Sequence, residues 1–304
     1  MHEIYEKIAK LKKEKDAVVL AHYYVPGEVM DAADYVGDSY YLSKIAAQVS
    51  KKAIIFCGVY FMGESAKILA PDKTVLMADI SADCPMAHMA SADDILKVRK
   101  EYEDVAVVCY VNSTAEIKAD SDVCVTSSNA YNVVKSLVNK NIYFIPDENL
   151  GRYIAGKLPE KTFIFNDGYC HVHAKITAQD VVSKKSIYPK AKVAAHPECR
   201  EEVLNLADYI GSTSGIIEYV NKTDAKDFII CTETGVFYEI NKKAKGKNLY
   251  PAANGQICEG MKKNTLDKLL NVLINFDNEV ILNESVIDKA AYSLRRMLTL
   301  AEEK

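Results

Sequence analysis

The chain has 304 residues, 49% hydrophobic and 26% charged, with a formal net charge of −4. This is ordinary globular composition, compatible with one large domain or with two or three smaller ones, and the absence of a basic stripe argues against nucleic acid as a partner. No run of about 18 apolar residues offers a bilayer span. The eight cysteines are scattered without a CxxC pair, which points to reduced thiols or metal ligands in a reducing, cytoplasmic setting.

In chain order, MHEIYEKIAKLKKEKD reads as an amphipathic helix and has neither the apolar core nor the cleavage site of a signal peptide. AVVLAHYY (from Ala17) is a short apolar run ending in polar side chains, as expected of a buried parallel strand. ADYVGDS (from Ala33) follows, and then a helical stretch from Ser39 to Lys52. Two more strands, AIIFCGVYFM (from Ala53) and TVLMAD (from Thr74), precede Cys84 in DCPMAH. The pattern then restarts with VAVVCYVNS (from Val105), DVCVTSSN (from Asp122), a helix from Asn129 to Lys140, NIYFIPDENLG (from Asn141), TFIFND (from Thr162) and Cys170 in DGYCHVH. It runs a third time as AKVAAHPE (from Ala191), ADYIGST (from Ala207), DFIICTETGVF (from Asp227), NLYPAAN (from Asn248) and Cys258 in GQICEGMKKNT.

ADYVGDS and ADYIGST lie 174 residues apart, twice 87, with DVCVTSSN between them. Matches at polar and glycine positions are not dictated by burial, so the expectation is three copies of one unit rather than a single large doubly wound sheet. The fold class is therefore α/β: three αβα units with parallel sheets about a pseudo-threefold axis, over residues 1–86, 87–172 and 173–264. Residues 265–304 are expected to be helices packing back on the first unit. Ligands of open α/β sheets bind beyond the carboxyl ends of the strands, so the three units could share one cavity.

Cys84, Cys170 and Cys258 follow the fourth strand of each unit at spacings of 86 and 88 residues. Three thiolates at one axis suit a soft metal or an iron–sulfur cluster. Three ligands, not four, leave a position open for substrate, as on a [4Fe-4S] cluster with one free iron; catalytic zinc is the competing reading. Cys57, Cys109, Cys124, Cys199 and Cys231 lack this position and read as small buried residues.

The segments LAHYY, YVGDS, DCPM, YVNST, TSSNA, CHVH, HPEC, GST, TETG and MKKNT, in this order along nearly the whole chain, strongly resemble the quinolinate synthase family. The resemblance implies three αβα domains around a central site and one [4Fe-4S] cluster per chain on Cys84, Cys170 and Cys258. It implies condensation of iminoaspartate with dihydroxyacetone phosphate to quinolinate, with loss of phosphate and water, in de novo NAD biosynthesis. An aspartate oxidase or dehydrogenase would supply the iminoaspartate. Some relatives carry a CxxCxxC run ending at the last ligand; here Ala252 and Gly255 stand at those positions, so no thiol–disulfide switch is expected there.

Ring closure needs anion binding, proton transfer and carbonyl activation. Strand-end residues two apart face the same way, which pairs His22 with Tyr24, Tyr110 with Asn112 and His196 with Glu198. Tyr24, Tyr110 and Glu198 are the expected catalytic groups, with Glu198 as the main base and, in a dry pocket, a raised pKa. His22, Ser39, Tyr110, Asn112, Ser127, His196, Glu198 and Thr213 are the expected substrate contacts; Ser39, Ser127 and Thr213 lie in hydroxyl-bearing loops leading into helices. His173 is read as a group behind or facing the substrate rather than a zinc ligand, and Lys262 and Lys263 receive no role.

Overall fold

The computed structural model describes residues 2–302. The first unit contains β1 (Ala17–His22), β2 (Tyr35–Gly37), β3 (Ala53–Cys57) and β4 (Thr74–Met77). The second contains β5 (Val105–Tyr110), β6 (Val123–Val125), β7 (Asn141–Ile145) and β8 (Thr162–Phe165). The third contains β9 (Lys192–Ala195), β10 (Tyr209–Ile210), β11 (Asp227–Cys231) and β12 (Asn248–Pro251).

These form three separate four-stranded sheets, ordered β2-β1-β3-β4, β6-β5-β7-β8 and β10-β9-β11-β12, with every pairing parallel. The single large sheet is thereby ruled out. All six residues of β1 and of β5 are buried, which is why those strands read as unbroken apolar runs. In each sheet the chain winds first to one side of the opening strand and then to the other. The carboxyl ends of the first and third strands therefore flank a switch point where a crevice opens.

The aspartate of the repeated motif has a structural cause. The second strand of each unit begins to pair with the first only one residue after Val19, Val107 or Val193, so the amide of that residue would be left without an acceptor. Asp34 accepts from the Val19 amide at 2.8 Å, Asp122 from Val107 at 2.7 Å and Asp208 from Val193 at 2.8 Å. One side-chain bond has been conserved in position through all three units, at intervals that match the strands.

The helix Leu266–Asn275 packs against the first unit, meeting the helices His2–Glu14 and Gly27–Ala32 and strand β3. The last helix, Glu284–Glu302, departs from the expectation: it lies mainly on the second unit, against the helices Ala115–Ala119 and Ala130–Ser136 and strand β6, and also touches the helix Tyr60–Leu69. Its buried Ala290, Ser293, Leu294 and Met297 explain the choice, with Ser293 Oγ donating to the Lys118 carbonyl at 2.7 Å. One apolar core joins the first and second units and part of the third, and a smaller core lies wholly within the third.

Candidate active site and metal centre

A single cavity is lined from all three units at the carboxyl ends of their strands. It gathers all 12 residues singled out above: His22, Tyr24, Ser39 and Cys84; Tyr110, Asn112, Ser127 and Cys170; His196, Glu198, Thr213 and Cys258. It adds His173, Asp38, Ser128 and Glu233, together with apolar Val59, Phe61, Val172 and Met261.

The three cysteines share a local design. Cys84 caps the short helix Pro85–His88, Cys258 caps the helix Glu259–Lys262, and Cys170 opens a turn closed by a bond from the Ala174 amide to its carbonyl at 2.9 Å. Amides just downstream favour each thiolate: Met86 and Ala87 for Cys84, His173 for Cys170, Met261 and Gly260 for Cys258. Burial is the larger effect and pushes Cys84 up to about 12, with the neighbouring Cys258 adding to the rise. The free thiols are thus held protonated and close enough to feel one another's charge, while amide dipoles await a metal-bound thiolate. Soft sulfur donors converging from three sides fit an iron–sulfur centre or zinc.

Two of the cysteine loops are anchored by acids. The Cys170 amide donates to Asp147 at 3.1 Å and the Cys258 amide to Glu233 at 3.2 Å; these carboxylates occupy equivalent positions, each two residues beyond a third strand. Lys262, left without a role above, pairs with Glu233 at 2.8 Å, and Lys263 donates to the Ser81 carbonyl at 2.7 Å. The polar residues PDE and TET just after β7 and β11 carried this signal in the sequence. The loops also meet directly, since a Cβ on Gly260 would lie 2.2 Å from the Asp83 carbonyl oxygen.

Glu198 is almost fully buried, yet its carboxyl pKa is lowered rather than raised. Burial does oppose its charge, but His173 Nδ1 at 2.8 Å and His196 Nδ1 at 3.2 Å both face the same oxygen, Oε2, and together outweigh it. The expectation of a raised value is therefore corrected: the carboxyl is buried, but two imidazoles hold it ionised. His196 Nδ1 also lies 3.4 Å from the Glu198 amide; the shorter contact to a charged oxygen dominates and sets this nitrogen as donor. Nε2 of His196 then accepts from Ser127 at 3.1 Å.

His173 occupies the centre of a chain. From Nδ1 it reaches Glu198 and, at 3.2 Å, Cys170 Sγ; Nε2 is 2.9 Å from the Thr232 hydroxyl. One ligand atom from each of Cys170, His173 and Glu198 lies within 4.8 Å of the others, and the thiol and the carboxylate share one imidazole. Thr232 is also 2.8 Å from the Tyr24 hydroxyl, which is 2.8 Å from Thr213. A hydrogen-bonded path thus runs from Tyr24 through Thr232 and His173 to Glu198. Thr232 was part of the TETG segment but was not singled out; nothing in its apolar strand context marked it as a relay.

The remaining groups face the cavity as donors and acceptors. The Tyr24 amide donates to His22 Nδ1 at 3.2 Å, leaving Nε2–H of a neutral ring for a ligand; burial lowers the His22 pKa to about 4. Burial raises Tyr24 and Tyr110 well above 10, so both hydroxyls keep their protons. Helix capping is done one residue earlier than Ser39 and Thr213, by Asp38 and Ser212, so neither of those two residues serves as a cap and both line the cavity. Asn112 Oδ1 and Glu198 Oε1 are buried on its wall without a hydrogen-bond partner, the pattern of atoms that await a ligand.

Comparison with known proteins adds three findings. The model of the family described as Quinolinate synthetase A protein matches residues 6–299. The quinolinate synthase of Fusobacterium nucleatum is 55% identical over 296 residues, covering 97% of this chain and 99% of that protein. Those of Clostridioides difficile and Caldicellulosiruptor saccharolyticus are 49% and 44% identical, over 97% and 99% of both chains respectively.

Proposed function

The chain belongs to the quinolinate synthetase A family, and from that membership we propose that it condenses iminoaspartate with dihydroxyacetone phosphate to form quinolinate, releasing phosphate and water, in NAD biosynthesis. The observation that carries this reading is the meeting of three thiols with an ionised, half-satisfied carboxylate on the wall of one buried cavity.

Family membership implies an iron–sulfur cluster, and we read it as [4Fe-4S] held by Cys84, Cys170 and Cys258. The supporting observations are the soft donor set, the amides directed at each sulfur and the anchoring of two loops by Asp147 and Glu233. Bound there on three thiolates, such a cluster supplies an open iron as a Lewis acid.

The chain's own residues do the rest. Carboxylate and phosphate groups are bound by Nε2–H of His22 and by the hydroxyls of Ser39, Ser127 and Thr213, beside the helices that begin at Ser39 and Thr213. Asn112 donates through its amide nitrogen, and its unpaired Oδ1 orients a hydroxyl or imine N–H of the substrate. Glu198 accepts a proton at Oε1 from the carbon next to a carbonyl or imine, as general base. His196 and His173 hold Oε2 and so aim Oε1. Tyr110, protonated at neutral pH, donates to a carbonyl or departing hydroxyl, and Tyr24 returns protons along Thr232 and His173. Burial keeps bulk water from competing for these protons.

The expected setting is the cytoplasm, where eight free thiols stay reduced; among the described residues no helix is long and apolar enough to cross a membrane. An aspartate oxidase or dehydrogenase is the expected source of the unstable imine. Anaerobic purification with iron, sulfide and zinc analysis, followed by a quinolinate assay, tests the proposal. About four irons and four sulfides per chain with quinolinate formed support it; zinc without sulfide, or a full cluster without quinolinate, overturns it.

A further inference from the structure

Lys118 is the largest side chain among those fully enclosed by the protein, at 0% exposure, and the chemistry above does not use it. A buried ammonium is costly unless its donors are satisfied, and a methionine or leucine would fill the same space without that cost. Its Nζ lies 2.7 Å from the Ser113 carbonyl and 3.2 Å from the Phe61 carbonyl, and 5.4 Å from the centre of the Phe61 ring. Among the described residues no carboxylate lies within 4.0 Å of it in an ion pair.

The two carbonyls belong to different units and both adjoin the cavity. Phe61 lines it from the first unit, and Ser113 follows Asn112, which lines it from the second. A reciprocal bond runs beside this one: Glu64, almost fully buried in the first unit, accepts the Ala115 amide of the second at 3.1 Å. Each unit thus sends one charged side chain to the backbone of the other. The segment between these bonds is short and held at both ends, since Ser113 Oγ also donates to the Tyr110 carbonyl at 3.0 Å. On the far side, the Tyr60 amide donates to the Ala82 carbonyl at 2.7 Å, two residues from Cys84.

From this cross-brace we infer that Lys118, with Glu64, is a positioning residue: it fixes Asn112 and Tyr110 of the second unit relative to Phe61 and the Cys84 loop of the first. The inference rests on the proposed function for its chemical meaning, but the brace has readouts of its own. Glu64 feels Lys118: burial raises its carboxyl pKa and the lysine opposes the rise. Removing only the lysine would leave a buried carboxylate without its nearby positive charge; removing both charges would restore electrostatic balance without restoring the hold on the Ser113 and Phe61 carbonyls.

The test compares wild type, Lys118→Met, Lys118→Arg and the double variant Glu64→Gln/Lys118→Met as cluster-loaded proteins. Amide hydrogen exchange over residues 110–117 should quicken about 10-fold in Lys118→Met and in the double variant, since the local opening is no longer opposed. Stability should fall in Lys118→Met and recover in the double variant. Turnover should not recover: kcat/KM for quinolinate formation should stay about 10- to 100-fold down in both, the loss expected when a contact group shifts by about an ångström. Lys118→Arg, which keeps donors at that place, should regain part of kcat/KM. Unchanged exchange in the 110–117 segment would overturn the brace whatever the chain catalyses. Kinetic constants that recover together with stability would reduce Lys118 to a folding role and overturn its positioning role. A wild-type protein with normal cluster and no quinolinate would fail the function while leaving the exchange result to decide the brace.

Discussion

Glu198 has one oxygen committed and one free. Oε2 is taken by two imidazoles, Oε1 is buried without a hydrogen-bond partner, and the carboxyl is held ionised. Glu198→Gln preserves shape and removes the charge, so quinolinate turnover should fall by about 10²- to 10⁴-fold. Iron and sulfide content should match wild type, because no cysteine is altered; steady-state kinetics beside metal analysis checks both. His22 gives a pH signature. Burial is the main cause of its depressed pKa, from 6.5 to about 4. The folded chain therefore binds this proton less readily than the unfolded chain, and the stability involved is complete above pH 6.5 and is withdrawn as pH falls towards 4. Between about pH 7 and about pH 5, wild type should lose about 2 kcal/mol that His22→Gln does not lose, at about 1.4 kcal/mol per unit. Urea unfolding of both proteins at the two pH values measures the difference, and equal pH dependence would remove His22 as its source. At this scale the sequence shows residue types at strand ends, which is how His22, Tyr110 and Glu198 could be picked out. It does not show which neighbours will surround a carboxylate, and so the sign of the Glu198 shift was not legible.

Elements position these side chains because parallel strands stop at a common edge and the chain then turns sharply. The two central strands of each sheet were legible because they are buried and apolar nearly throughout, and the boundaries of β3, β7 and β11 fall inside the runs that read as strands. The cysteine loops were legible only by their period. Their mutual packing was not, because it depends on an absent side chain. A methyl group on Gly260 would sit 2.2 Å from the Asp83 carbonyl oxygen, and backbone cannot yield as a flexible side chain can. Gly260→Ala should push the Cys258 loop off the Cys84 loop, at a cost of about 1–3 kcal/mol. Thermal unfolding should register that loss, and iron content after reconstitution should fall below that of wild type. Full iron loading with an unchanged melting temperature would show that the two loops move apart freely. The last helix teaches the same lesson at larger span. Its amphipathic pattern announces a buried face but not the unit that receives it, and Ser293, bonded to the Lys118 carbonyl, is the polar detail that selects the second unit.

The whole molecule is three similar units made unlike where they meet. At the residue before each hydroxyl loop's cavity-lining position stand Asp38, Thr126 and Ser212, and only the first is charged. Asp38 Oδ1 caps the helix Ser39–Gln48 by accepting the Tyr41 amide at 3.0 Å. Its Oδ2 accepts the hydroxyls of Ser128 at 2.9 Å and Ser214 at 2.6 Å, so one carboxylate of the first unit ties down the corresponding loops of the other two. Ser128 and Ser214 themselves follow Ser127 and Thr213, so the tie lies directly behind the proposed anion contacts. The repeat is visible in the sequence; this departure from it is visible too, yet its purpose appears only when three loops converge in space. Asp38→Asn keeps an oxygen for the helix cap but weakens two bonds to an ionised acceptor. Such bonds contribute about 1.5–3 kcal/mol each, and a partial loss at both predicts destabilisation of about 2–4 kcal/mol. Ser214→Ala, which removes one of them, should cost about 1–2 kcal/mol by itself. Because both substitutions break the same bond, their effects should not add: the double variant should be less destabilised than the sum by about 1 kcal/mol. Urea unfolding of the four proteins gives that coupling directly. Strict additivity would mean that the three units are held together elsewhere, by the shared core and the last helix, and that Asp38 serves only its own helix.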